Sequence, residues 1–346
     1  MDGKTFKIRG VKRIVTIFTI NLLFVALLFV HPKSEIYHIW KLSNKEIIEH
    51  YTNNIGADTG TYVFRQKDDI RRTIGYPLIL NFFLQFDQFI FYILLFNCLI
   101  GTWCFYVIHE LIGKRVWILF VLGFPTAYVA HLYTDLLFAT IFITAIWQLK
   151  KKKFWFSLVL ISSAALIRPS LAWFFVVIPA VMYFYEYKPK MVLIALPLMF
   201  LATCFNPARN YVNHRQWVHA PIISEHIESE TYIGGAESKL KYFAYAFKVN
   251  FLSDHYNYAG MMFNVYKRDN GDRKESDVMK LFQTIGVLAN LIIWFLFVVK
   301  IVNKIRNGQN KLNWGDVIIL LYFIVPTLFG AAGARLRLPV EWILLI

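Results

Sequence analysis

Six charged side chains stand beside long apolar runs: Asp58, Asp135, Arg168, Arg209, Arg335 and Arg337. Ionisable groups at such positions are costly near hydrocarbon and usually mark a site that handles a charged substrate. The two residue types suit two tasks. A carboxylate held where a loop meets a bilayer can take the proton of an attacking hydroxyl. Guanidinium groups bind phosphate through paired, charge-assisted hydrogen bonds. Asp58, in GADTGTYVFRQ, is the candidate base, whereas Asp68 and Asp69 look like the solvated face of an interfacial helix. Asp135 opens an apolar run in YTDLLFA, where helix capping and catalytic support are compatible. Arg168 interrupts AALIRPSLAW, Arg209 and Asn210 follow Pro207, and the Arg335-x-Arg337 pair precedes Pro339. Each has an ordinary reading as a turn aspartate, a helix cap or an arginine snorkelling to headgroups. Their fall on one side of a membrane is what argues for a site.

The elements that position them are apolar helices. Of 346 residues, 57% are hydrophobic and 17% charged, with a mean hydropathy of +0.47. Soluble domains carry roughly a quarter charged residues, and several runs here exceed the ~18–20 apolar residues that cross a bilayer. The net charge of +15 does not indicate nucleic acid. Lys and Arg gather in short segments between apolar runs, which is the positive-inside pattern, and basic patches interleaved with exposed aromatics are not evident. The run 14–30 is long for a signal-peptide core and ends without a small-residue cleavage site, which predicts a retained span with the N-terminus inside.

A charged first outer loop, 31–75, follows, with helix-like amphipathic spacing in EIIEHYTNNIG and VFRQKDDIRR. The pattern then predicts a shallow segment near 76–86, a span near 88–108 and two spans within 116–149 that end at Lys150–Lys153. Further spans are expected at 154–167, 171–185, 191–205, 281–300 and 314–330, with a large outer loop over 206–279 and a short apolar piece at 338–346. This topology puts all six featured charges outside. The absence of any Asn-x-Ser/Thr acceptor fits a multi-pass protein of a bacterial cytoplasmic (inner) membrane.

Other signals carry less. Cys98, Cys104 and Cys204 have neither metal spacing nor a disulfide pattern and read as small core residues. Gly234-Gly235 lacks phosphate-loop spacing. His214, His219 and His226 are dispersed, so no metal site is expected from them.

Five local patterns, in order, carry a resemblance. They are Asp58 with Tyr62 and then Gly75-Tyr76-Pro77-Leu78; Phe124-Pro125; Thr134-Asp135-Leu136-Leu137-Phe138; Leu166-Ile167-Arg168-Pro169; and Asn206-Pro207-Ala208-Arg209-Asn210-Tyr211 with the later Arg335-Leu336-Arg337-Leu338-Pro339. Together they resemble the GT-C superfamily of polyprenyl-phosphate-sugar-dependent glycosyltransferases, in the branch of protein O-mannosyltransferases and the bacterial lipid A aminoarabinose transferase. The resemblance implies one all-α polytopic membrane domain over 1–346, with about 9–10 transmembrane helices and interfacial helices in the first outer loop.

It implies that Asp58, supported by Asp135, is catalytic, and that Arg168, Arg209, Arg335, Arg337, Tyr62, Tyr76 and Asn210 bind the donor phosphate and substrate. The implied partners are a polyprenyl-phosphate sugar, a glycan, lipid or protein acceptor, and membrane lipids. No cofactor is required; arginines can do the charge work, although some relatives use a divalent metal. The loop 206–279 would shape the acceptor site as a lid. Two departures stand out. Thr134-Asp135 replaces a frequent Ser-Glu, and the chain stops where many relatives continue. A polysaccharide polymerase or ligase, or a transporter of lipid-linked sugars, would share the many spans and outer charges.

Overall fold

The computed structural model describes residues 3–32, 34–47, 73–121, 123–130, 134–168, 175, 177–217, 266–269, 272–275 and 277–307. Among them the chain is helical apart from one hairpin. Its described residues fall into two compact units, one within Met1–Phe64, Leu78–Thr140 and His255–Gly286, the other within Arg65–Pro77, Ile141–Asp254 and Val287–Ile346. Three stretches are long and apolar enough to cross a membrane: Val11–Val30, Phe89–Phe120 and Pro189–His214. Large apolar side chains project from them unburied, among them Leu23, Leu27, Leu193 and Leu201. Exposed apolar surface on this scale is foreign to a water-soluble monomer and natural against lipid.

In the first unit, α1 (Gly3–Val30) packs along α4 (Phe89–Ile112). Between them come the short α2 (Glu35–Ile39), a helical turn at 44–47, and α3 (Gly75–Phe83), whose first three residues belong to the second unit. The turn at 44–47 opens with a capping box. Ser43 Oγ and N–H both donate to Glu46 Oε2, at 2.7 and 2.8 Å, and the Glu46 N–H donates back to Ser43 Oγ.

After α4, a 3-10 turn (Gly113–Arg115) leads into α5 (Val116–Val121), the turn Gly123–Pro125 and α6 (Thr126–Val129). The pattern over 116–149 predicted two spans. The first is instead a six-residue helix, closed by a Schellman pair in which Gly123 (φ 89°) and Phe124 donate to the carbonyls of Phe120 and Leu119. The glycine enters the left-handed region without a Cβ clash, which ends the helix before it can cross.

A polar node joins α1, α4 and α6. Asn21 is fully buried; its Nδ2 donates to Thr102 Oγ1 at 3.1 Å, and its Oδ1 accepts from Thr126 Oγ1 at 2.9 Å. Thr102 passes its own proton to the Cys98 carbonyl at 2.7 Å, and Asn97 Nδ2 donates to the Val129 carbonyl at 3.0 Å. Gly101 makes room for this: a Cβ there would lie 2.8 Å from Val129 Cγ2 and 3.5 Å from Asn21 Nδ2. At one end of the same pair of helices, Arg13 Nη1 donates to His109 Nε2 at 2.8 Å.

The second unit is built on α7 (Thr134–Lys150, the second-unit part from Ile141), α8 (Phe154–Ile167), α9 (Ile178–Phe184) and α10 (Pro189–His214). The basic tetrad does mark a turn. Lys152 takes the left-handed conformation (φ 61°), and the N–H groups of Lys152 and Lys153 close on the carbonyls of Leu149 and Gln148. After that reversal Ser157 Oγ on α8 donates to the Ala145 carbonyl of α7 at 2.9 Å.

The link into α10 returns to the same end. Tyr187 OH donates to the Leu149 carbonyl at 3.0 Å, its ring meets Phe154 at 6.0 Å, and Lys152 Nζ donates to the Tyr185 carbonyl. Burial raises the Tyr187 phenol above its ordinary range, which keeps it a donor. α8 and α10 therefore start together and pack side by side. Buried small residues Ser157, Ala164 and Ala165 on α8 suit such close packing.

Two further elements differ from expectation. α10 extends to His214, past the predicted exit at 205, although Pro197 and Pro207 lie inside it. Interior prolines are tolerated in apolar helices where neighbours re-satisfy the freed groups. Strands β1 (Tyr266–Asp269) and β2 (Asp272–Glu275) form an antiparallel hairpin, so the described chain is not purely α. α11 (Asp277–Arg306) then covers the span expected at 281–300. The segments 314–330 and 338–346, the amphipathic stretches beyond Ile47, and most of 171–176 lie outside the described residues.

Candidate functional site

The second unit brings two of the sequence patterns together at the end of α8. The segment Thr73–Pro77 is strapped onto the C-terminus of α8: Thr73 Oγ1 donates to the Ile167 carbonyl at 2.5 Å. Gly75 lies so close that an added Cβ would stand 2.8 Å from the Leu166 carbonyl oxygen and 3.2 Å from Ile167 Cγ1. This is why a glycine precedes Tyr76 and Pro77: the strap approaches backbone, which cannot step aside. Tyr76, the next residue, is only 1% exposed.

Arg168 caps α8 at this point. Its backbone is extended (φ −147°, ψ 120°), as the following Pro169 demands, and its N–H donates to the Ala164 carbonyl at 2.9 Å. The side chain is half-buried. Sequence separation hid this meeting, since Thr73 and Ile167 are 94 residues apart.

Arg209 and Asn210 lie farther along α10. From their common start, α8 runs about 21 Å and α10 about 30 Å to Arg209, at 1.5 Å per residue, so the pair stands roughly 9 Å beyond the end of α8. Arg209 Nε and Nη2 both donate to Asn210 Oδ1, at 3.2 and 2.8 Å, which orients the guanidinium with a neutral acceptor. Asn210 is buried and Arg209 half-buried. The buried stripe of α10 runs Ala195, Met199, Thr203, Asn206, Pro207, Asn210, so it turns from apolar to polar toward the C-terminus of the helix. A guanidinium beside a stripe of amides on an apolar helix can hold an anion next to a hydroxylated group.

Asp135 belongs to the first unit. It is 3% exposed and sits in the first turn of α7, one residue inside Thr134, rather than at the cap. A carboxylate there still faces the positive end of the helix dipole. Asp58, Tyr62, Arg335 and Arg337 lie outside the described residues, as do His219, His226 and Gly234-Gly235. His214 is not a loop residue but closes the last turn of α10. Cys98 and Cys104 are buried, whereas Cys204 is half-buried. Among the described residues no group of three or more His, Cys, Asp or Glu side chains is placed to hold a metal ion.

Sequence reasoning passed over Thr73 and gave Asn206, though part of a quoted pattern, no role of its own. Thr73 carried no local signal, because its role is a long-range bond. Asn206 did carry one: an amide inside an apolar run, directly before a helix-interior proline. The Ser43-x-x-Glu46 capping box and the Asn270-Gly271 pair between β1 and β2 were also readable from spacing alone. No protein-family model matches the chain, and no significant match to a curated protein or a solved structure exists.

Proposed function

We propose that the chain is an integral-membrane glycosyltransferase. It would move a sugar from a polyprenyl-phosphate donor to an acceptor hydroxyl on the outer face of a bacterial cytoplasmic membrane. In this reading it is a multi-pass GT-C-like protein with about 9–10 spans and its N-terminus inside. The observation that carries the reading is the end of the second unit. There a glycine-dependent strap bearing Tyr76 is bonded to the turn that holds Arg168, and the neighbouring helix carries Arg209 and Asn210 farther along the same direction.

The chemistry follows from these groups. Asp58 takes the proton of the acceptor hydroxyl, whose oxygen attacks the anomeric carbon. The bond from that carbon to the phosphate oxygen breaks, and the electron pair leaves with the polyprenyl phosphate. Charge grows on the leaving phosphate as the bond breaks, and arginines stabilise it most where water is scarce. In-line attack inverts the anomeric centre. In this reading Asp135 has a supporting role, and Arg335 and Arg337 bind the donor phosphate.

Full-length protein in lipid, given a radiolabelled polyprenyl-phosphate sugar and a membrane glycolipid extract, should place label on an acceptor. Asp58→Asn should lower transfer by about 100-fold or more while insertion is unchanged. Undiminished transfer would move the base elsewhere. Donor carried across the membrane with its glycosyl phosphate bond intact would replace the transferase by a transporter, and growth of a polymer on the lipid would point to a polymerase.

A further inference from the structure

Asn206 is 1% exposed, and neither its Oδ1 nor its Nδ2 has a hydrogen-bond partner among the described residues. In an apolar helix such an amide is among the costliest groups to leave unmet. The deficit extends to the backbone. Pro207 has no N–H, so it brings no donor to the carbonyl of Thr203 four residues earlier. Thr203 Oγ1 is engaged elsewhere, donating to the Phe200 carbonyl at 2.7 Å. One side of α10 therefore offers an amide carbonyl, an amide NH2 and a main-chain carbonyl deprived of its helical donor, all on the buried stripe.

The chemistry of the missing group can be read from this set. It must both donate and accept. A phosphate only accepts and an ammonium only donates, whereas a hydroxyl does both. Arg209 lies three residues on, at the spacing that puts side chains about 5–6 Å apart on one helix face. Its guanidinium is already oriented by Asn210. An anion on Arg209 and a hydroxyl on Asn206 are thus offered side by side.

We infer that the Asn206 carboxamide binds a hydroxyl of the sugar carried on a lipid phosphate, and so sets which head group this end of the second unit accepts. The inference rests on the glycosyltransferase reading for the identity of the ligand. The unmet amide stands without it.

The test uses the full chain in nanodiscs and two probes, a short-chain polyprenyl phosphate and the same lipid bearing a hexose. Wild type should bind the hexose-bearing lipid more tightly. Asn206→Leu should weaken that binding about tenfold, to the level of the bare lipid, and leave the bare lipid unchanged. The ligand-free melting temperature should hold or rise, because a buried unmet amide has been replaced by an apolar group of similar size. Asn206→Ala, which adds no bulk, should give the same binding result.

Retained preference for the hexose in both variants would overturn the inference while leaving the transferase reading intact. Absence of a preference in wild type would do the same, and would assign the amide to a trapped water. A clear fall in the ligand-free melting temperature of both variants would show that Asn206 is already partnered in the resting protein. Binding of neither lipid by wild type would remove the glycosyltransferase reading, and this inference with it.

Discussion

Asn21 and Asn206 are the same residue in the same kind of place, a buried position on a long apolar helix, and they are treated in opposite ways. Asn21 has both ends of its carboxamide engaged, by hydroxyls from two other helices, and one of those hydroxyls relays the bond to a main-chain carbonyl. Asn206 has neither end engaged among the described residues, and the proline beside it withdraws a further donor. A satisfied amide in an apolar medium fixes helix register, whereas an unmet one is a deficit that a ligand can repair. The difference teaches that residue type and burial do not separate a structural polar group from a binding one; the state of its partners does.

Opposite signs in stability are the most direct way to break this comparison. Asn21→Leu should destabilise by about 2–3 kcal/mol, since Thr126 loses its acceptor and Thr102 its donor, both inside the core. Thermal unfolding in lipid measures this, and the matched Asn206→Leu should show no loss. If both substitutions cost the same, the two amides are equivalent and the contrast fails.

The two close glycines sharpen the point with a somewhat smaller effect. At Gly75 an added Cβ meets the Leu166 carbonyl oxygen, part of the backbone, whereas at Gly101 the nearest atom is the Cγ2 of a valine that can turn. Gly75→Ala should cost about 2 kcal/mol and, under the proposed glycosyltransferase reading, depress transfer, because it lifts the strap from Leu166 and Ile167. Gly101→Ala should cost about 1 kcal/mol, with transfer intact. Equal losses of transfer in both would show that the strap has no special tie to the site.

Glu46 supplies the smallest effect, as a polar group that meets its partners in the open. Hydrogen bonds from the Ser43 hydroxyl and then the Ser43 N–H hold its carboxyl below the ordinary 4.5. A lowered folded-state value means that the stabilisation is complete above the ordinary value and is lost as the pH falls below it. The turn at 44–47 should therefore loosen in acid, and the protection of the Ser43 amide relative to its intrinsic exchange rate should fall below about pH 4.5. Glu46→Gln should abolish that pH dependence and leave the deeper Asn21 node untouched.

Much of this molecule was legible in local order. Apolar runs marked the helices, and the lysine tetrad marked the turn after α7, because hydropathy and charge act through the nearest solvent and need no partner. Arg168, Arg209 and Asn210 were singled out by type and place beside apolar runs, and Gly75-Tyr76-Pro77 by the resemblance. The same reasoning overran α5, where a single left-handed glycine ended the helix, and stopped α10 short, where a proline did not. In both places a local residue's effect depended on what surrounded it.

What the amino-acid order settled by itself was a basic, mostly helical chain with apolar segments fit for a membrane and charges at their ends. Only the tertiary structure decided that Thr73 ties Tyr76 to the turn of Arg168, that Asn21 is satisfied, and that Asn206 is not. Hydrogen-bond satisfaction is a property of pairs, and these pairs are 81, 94 and 105 residues apart in sequence. No window along the chain contains both partners, so the packing of helices alone determines which polar group is left open.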